Sequence, residues 1–248
     1  MRQTFHQISF AAEMCLFCLK RFSTRFLFLL LACASILFTG CIFNEDPADL
    51  RIINGKEPES LDPAIMTGQP DERAVLSIFE GLTRFSAVDA QAEPALSDHW
   101  EVSEDKKVYT FHIRDNARWS TGEPITAFDF EYSWFRVLEP ATGSDYVGNL
   151  FYIKGAEAYN LGRTKDRKDV GIKALDATTL RVELVNPTPF FLELCAFPTQ
   201  AVVPRTAIEK LGDKWLKARP LPVSGAYRLV EWRLNDKIRL KKNPLYWD

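Results

Sequence analysis

Residues 109–140 read YTFHIRDNARWSTGEPITAFDFEYSWFRVLEP, and they contain two different hydrophobic periods. In the first seven, Tyr109, Phe111 and Ile113 alternate with Thr110, His112 and Arg114, the period of two expected of a strand with one buried face. His112 falls on the wetter face. A Gly-containing turn over 120–124 then leads to Thr126, a capping residue type, with Asp129 three positions on as an acidic partner at the helix start. Phe128, Tyr132, Phe135 and Leu138 follow at helical spacing, and Pro140 marks the stop. A strand feeding a helix through a short turn predicts a fold that mixes both element types.

The mixture continues outward in both directions. LRIIN (50–54) reads as a short strand, and the Gly and Pro residues of GKEPESLDPAIMTGQPDE enforce a loop. PDERAVLSIFEGL (70–82) predicts a helix with Asp71 near its start, Ala74, Val75, Ile78 and Phe79 on its core face, and Gly81 as its terminator. LRVELV (180–185) alternates as a strand, and TPFFLELCAF predicts a helix opened by Thr188 with Pro189 in the first turn. SGAYRLVEWRLNDKIRLKKNPLYWD (224–248) predicts two strands around a Leu-Asn-Asp turn. The class is therefore α/β or mixed α+β, with no internal repeat.

At the other end, FLFLLLACASILF (26–38) is an apolar run too short for a permanent span, which needs about 20 residues. Lys20, Arg21 and Arg25 precede it, the basic flank of a secretory signal, and this reading leads over a buried core helix. The following Phe38-Thr39-Gly40-Cys41 resembles the lipobox of bacterial lipoproteins, with Phe38 in place of the usual Leu. The expectation is a signal peptide over 1–40, with Met1 or Met14 as the start. A lipidated Cys41 and an acidic tether over 41–49 then follow, in an exported, membrane-anchored protein at the periplasm or cell surface. Ile42 after the Cys, rather than Asp, favours the outer membrane where there is one. Each buried methylene of an acyl chain contributes about 0.8 kcal/mol to such an anchor.

Of 5 Cys, Cys15, Cys18, Cys33 and Cys41 lie in or at the end of this leader, which leaves Cys195 alone and excludes an internal disulfide in the body. Cys15 and Cys18 form a CxxC without a second pair or His partners at zinc spacing. Residues 1–40 hold four of the 31 basic and one of the 33 acidic side chains, so the body carries 27 basic against 32 acidic. A net charge of −5 argues against a nucleic-acid partner.

Catalytic signatures are scarce. The body has two His, His99 and His112, neither with a His or Cys at i+3 or i+4, and it has no HExxH, GxSxG, GxGxxG or phosphate loop. Ser103 and Lys106 satisfy SxxK, but in a charged segment that reads as a turn. A carboxylate pair for glycoside chemistry stays open, because nothing selects any particular pair. Trp119 and Trp134 are expected in the core rather than in a ligand site. No enzyme, cofactor or metal is expected.

Six segments carry a resemblance: NGKEPESLDPAIMTG, IFEGLTRF, PALSDHWEVSEDKKVYTFHIRDNARWSTGEPITAFDFEYSWFRVLEP, VGIKALDATTLRVELVNPTPFF, AVVPRTAIEKLGDKW and SGAYRLVEWRLNDKIRLKKNPLYWD. In this order, over 50–248, the chain resembles the family 5 extracellular solute-binding proteins of peptide and nickel ABC importers, most of all the oligopeptide-binding type. The resemblance implies a periplasmic-binding-protein-like two-lobed fold (type II, cluster C), here incomplete, with the second main lobe and most groups that neutralise peptide termini absent. Residues 50–79 and 205–248 would form part of the first lobe, and 80–204 a smaller domain attached to it. The expected partners are an extended oligopeptide and the permease subunits of the transporter, and a monomer is expected.

The same resemblance places a loop strand, residues 65–69, alongside the peptide backbone. Thr67 and Gln69 would offer amide and carbonyl groups there, and Gly68 would permit close approach. Tyr146 and Phe197 match cleft-facing positions, and Phe197 stands where some relatives carry His. Other solutes of the family (a nickel chelate, haem, a sugar), an envelope enzyme with an unrecognised carboxylate pair, and a non-transport lipoprotein are the alternatives.

Overall fold

The computed structural model describes residues 47–248. The chain divides into two compact units, Met1–Ile53 and Asn54–Asp248. The described part of the first, residues 47–53, forms no helix or strand, and Leu50, Ile52 and Ile53 are exposed. The strand expected over 50–54 is thus not formed. A strand is held by its ladder of hydrogen bonds, and no described segment pairs with this one.

In the second unit the order is α1 (Gly68–Ile78), β1 (Thr83–Phe85), β2 (Ala92–Pro94), β3 (Ser97–Val102), β4 (Val108–Ile113), α2 (Ala127–Leu138), α3 (Ala156–Asn160), β5 (Ile172–Ala174), β6 (Thr179–Glu183), α4 (Phe191–Cys195), α5 (Arg205–Leu211), β7 (Tyr227–Arg233) and β8 (Lys237–Lys242). An antiparallel sheet in the order β3-β4-β6-β5 forms the centre, and β1-β2 and β7-β8 make two-stranded ladders. Strand β4 alternates as its sequence predicts, with Tyr109, Phe111 and Ile113 buried. His112 stacks on His99 of β3 at 4.2 Å between ring centroids. SEDK is the turn between β3 and β4, where the Ser103 hydroxyl donates to Asp105 and accepts from the Val108 amide.

Helix α2 starts as predicted. The Asp129 carboxylate accepts from both the amide and the hydroxyl of Thr126, each at 2.8 Å. Its buried stripe differs from the expected one: Phe135 and Leu138 are in it, but Phe128 is 49% exposed, and Phe130, Trp134 and Val137 are buried instead. The reason is that α2 is covered on two sides. The sheet takes one side. Residues 198–203 take the other, where Trp134 Nε1 donates to the Gln200 carbonyl at 2.9 Å and Ser133 Oγ accepts from the Val203 amide at 3.0 Å.

Two further boundaries move. Helix α4 begins at Phe191, because the Thr188 hydroxyl donates to the Asn186 carbonyl and the Thr188 carbonyl accepts from Phe191, closing a turn first. Helix α1 ends at Ile78, so Gly81 is not its terminator. A Cβ at Gly81 would lie 2.3 Å from the Cys195 carbonyl oxygen, and close passage of two backbones is what requires glycine there.

Buried side chains gather into two cores. The larger lies between the central sheet and α2, with Phe111, Phe130, Trp134, Leu180 and Val182. The smaller combines Leu61, Met66, Val75, Ile78, Phe79, Val203, Trp215 and Val223, and the β7–β8 hairpin packs Leu229, Trp232, Ile238 and Leu240 on it. The chain passes between the cores at Glu80. Its amide donates to Ser224 Oγ at 3.0 Å, its carbonyl accepts from the Val202 amide at 3.1 Å, and the neighbouring Ile78 carbonyl accepts from the Gly225 amide at 2.9 Å. Three passages of the backbone are laced together at that point.

The Glu80 side chain is buried there as well, accepting from Tyr246 Oη and Trp247 Nε1, both at 2.6 Å. Burial pushes its carboxyl above the ordinary range, while these two hydrogen bonds pull against the shift. Trp247 is flanked by guanidinium groups, Arg114 at 3.8 Å and Arg84 at 5.1 Å from its ring centroid.

Candidate functional site

The expected ligand residues fall into two groups, both bordering the smaller core. Thr67 is extended (φ −138°, ψ 134°) and caps α1, whose inner face delivers Val75 and Ile78 to that core. Gly68 and Gln69 are the first two residues of α1, so the stretch 65–69 is a loop end running into a helix rather than a continuous loop strand. Gly68 sits at φ +73°, and a Cβ there would make only an ordinary contact with Pro70 Cδ at 3.8 Å, so conformation rather than close approach requires glycine. The Thr67 amide is already committed to Asp71 Oδ2 at 3.0 Å, and as the N-cap residue of α1 Thr67 turns its carbonyl toward the first turn of the helix. Ile65, Gly68 and Gln69 are exposed; Pro63, Ala64 and Met66 are buried.

The loop before Thr67 lacks regular structure, yet acidic side chains anchor it at three points. Glu57 accepts from Trp232 Nε1 at 2.6 Å and from the Asn235 amide at 2.9 Å, joining it to the β7–β8 hairpin. Asp62, buried, receives both guanidinium nitrogens of Arg136 at 2.8 and 2.6 Å and Trp215 Nε1 at 3.0 Å. Asp71, buried in the first turn of α1, collects the amides of Glu59 at 3.0 Å, Ser60 at 3.4 Å and Thr67 at 3.0 Å. Sequence reasoning missed these anchors. The only available signal was an acidic loop rich in Pro, where capping and turn chemistry recruits carboxylates.

In the second group, Tyr146 and Phe197 meet edge to face, ring centroids 5.1 Å apart at 62°, and both pack partly buried against the smaller core. The structure therefore brings together two aromatic residues separated in sequence by α3, β5, β6 and α4. Such a pair offers an apolar surface with one phenolic hydroxyl. Cys41 lies outside the described residues.

The catalytic alternatives gain little. Among the described residues no group of three or more His, Cys, Asp or Glu is arranged to hold a metal. Cys195 is fully buried, and burial pushes its thiol up, which suppresses the thiolate a nucleophile needs. Trp119 and Trp134 are both core residues.

Comparison with known proteins gives this arrangement a context. Residues 91–248 match the model of the bacterial extracellular solute-binding proteins, family 5 Middle. The chain is 43% identical over 197 residues to the periplasmic oligopeptide-binding protein OppA of Salmonella typhimurium, covering 79% of this chain and 36% of the relative. It is 38% identical over 200 residues to the probable deoxycholate-binding periplasmic protein YgiS of Escherichia coli, covering 80% and 37%. The crystal structure of Haemophilus influenzae OppA in complex with RPPGFSPFR superposes with a TM-score of 0.74 at 35% identity, covering 78% of this chain and 38% of that one. The chain thus spans little more than a third of the length of these relatives. Its mixed α+β fold is periplasmic-binding-protein-like, and the chain belongs to the bacterial extracellular solute-binding proteins of family 5.

Proposed function

We propose that this protein is the substrate-binding lipoprotein of an ABC importer, which takes up extended oligopeptides outside the cytoplasm and passes them to membrane permease subunits. One observation carries the reading: 43% identity to an oligopeptide-binding protein, extending across the acidic-anchored loop and the Tyr146–Phe197 pair alike. An extended backbone suits such a site, since main-chain hydrogen bonds give affinity and hydrated pockets tolerate varied side chains. In this reading Thr67 and the exposed Gly68 and Gln69 meet the peptide backbone, and Tyr146 with Phe197 lines a side-chain pocket. Residues 50–79 and 205–248 belong to the first lobe and 80–204 to the smaller domain, a division the two cores follow in outline, with Ala64 in the larger core and Ala201 and Val203 in the smaller as exceptions. Cys41 carries the lipid anchor.

The test is an NMR titration with millimolar tetra-alanine. The expected result is a saturable set of shifts confined to residues 65–69, Tyr146 and Phe197. A bile salt such as deoxycholate is the competing solute class, favoured by the identity to YgiS. Shifts at the same residues with deoxycholate and none with tetra-alanine would replace the peptide reading. The anchor is checked separately: Cys41→Ser should abolish incorporation of labelled palmitate and release the protein from the membrane fraction.

A further inference from the structure

We infer that Asp62 and Asp71 are positioning residues of the ligand surface, two buried carboxylates that set residues 65–69 by holding the backbone beneath them. The inference rests on the peptide-binding reading of that surface and assigns the groups that shape it.

Between Glu59 and Thr67 the chain makes an excursion without helix or strand, a segment that ordinarily samples many conformations. Asp71 closes both ends at once, since its Oδ1 accepts from Glu59 and its Oδ2 from Ser60 and Thr67. Inside the excursion, Asp62 Oδ1 accepts from Ala64 at 3.0 Å, the Asp62 carbonyl accepts from Ile65 at 3.1 Å and Met66 at 3.0 Å, and the Asp62 amide donates to Ser60 Oγ at 3.0 Å. The amides of residues 59, 60, 62, 64, 65, 66 and 67 are thereby all turned inward. What faces out is Ile65, Gly68 and Gln69.

Asp62 also fixes where that surface sits. Its two oxygens are shared between Arg136 on α2, the helix of the larger core, and Trp215 of the smaller core. A loop tied to both cores keeps a constant distance from groups that each core supplies. Bidentate guanidinium pairing adds direction to this tie, which a point charge would not. A buried ion pair is a poor way to gain stability alone, because apolar residues of similar volume commonly do as well. Geometric specification is the property such a pair supplies and an apolar contact does not.

The experiment compares Asp71→Asn, Arg136→Lys and, as a helix-start carboxylate remote from the loop, Asp129→Asn, each titrated with tetra-alanine and followed by amide hydrogen exchange. Asp71→Asn should speed exchange at Glu59, Ser60 and Thr67 at least tenfold, leave β4 and β6 unchanged, and weaken peptide binding at least tenfold. Arg136→Lys keeps the charge but loses the fork. It should speed exchange at Ala64 and weaken binding severalfold, and it decides the matter if Asp71→Asn does not fold. Asp129→Asn should stay within twofold of the parent affinity. The inference is overturned if the loop amides speed up while peptide affinity stays within twofold, if they do not speed up, or if Asp129→Asn weakens binding as much. Absence of any tetra-alanine shift in the unsubstituted protein overturns the peptide reading itself, and this inference with it.

Discussion

Asp62 and Glu80 are both buried carboxylates near the boundary of the two cores, and they are accommodated by opposite means. Asp62 faces a guanidinium, so its negative charge is matched by a positive one and fixed by the fork of Arg136. Glu80 takes its direct hydrogen bonds from a phenol and an indole, neutral donors, and the Arg84 guanidinium acts on its charge only from beyond Tyr246. The first arrangement fails badly when one partner goes, because a full charge is left in a dry site. The second tolerates change, since its carboxyl can take up a proton, and its raised pKa reflects that.

Removing one member of each site should separate these behaviours most clearly. Asp62→Ala strands Arg136 and the Trp215 indole, and should lower unfolding free energy by about 3–5 kcal/mol in urea titrations. A loss below about 1 kcal/mol would mean that water already compensates the pair. Tyr246→Phe takes one donor from Glu80 and should cost about 1–3 kcal/mol, the range for a buried acceptor left unpaired. If Tyr246→Phe proved as damaging as Asp62→Ala, the distinction between charged and neutral partners would collapse.

Glu80→Gln should have the smallest effect, within about 1 kcal/mol at neutral pH, because an amide can still accept from Trp247 and donate to Tyr246. Its signature is pH dependence. The folded pKa of Glu80 lies above the ordinary value of 4.5, so below that value both folded and unfolded chains hold the proton. As pH rises past it the unfolded chain ionises first, and stability falls until the folded carboxyl has ionised too. Thermal melts of Glu80→Gln from pH 4 upward, as roughly spaced single-unit steps, should therefore show a shallower decline than the parent. An identical decline would assign the slope to other groups.

Much of the fold was legible in the sequence because its signals are local. The alternation of β4, the Thr126–Asp129 helix start, the SEDK turn and the β7–β8 hairpin each depend on neighbours a few residues away. The failures have the opposite character. The buried stripe of α2 was misread because residues 198–203 cover a second side of the helix, and periodicity counts faces without saying how many are covered. The anchors of the 59–67 loop were invisible for the same reason: Asp62 meets Arg136 and Trp215 across 74 and 153 positions, and Glu57 meets Trp232 across 175. Of the candidate site, family resemblance supplied Thr67, Gly68, Gln69, Tyr146 and Phe197. Only the structure showed that the Thr67 amide is occupied and that the two aromatic rings touch.

The lacing of three backbone passages at Glu80 has a mechanical corollary. Because the chain crosses between the cores more than once, neither core is a bead on a string that a single cut can release. A protease that nicks the exposed bend at Leu161, Gly162 and Arg163 would break covalent continuity within the larger core. The two fragments would still be interlocked by Val202, Ser224 and Gly225, and would migrate as one particle until a denaturant pulled them apart.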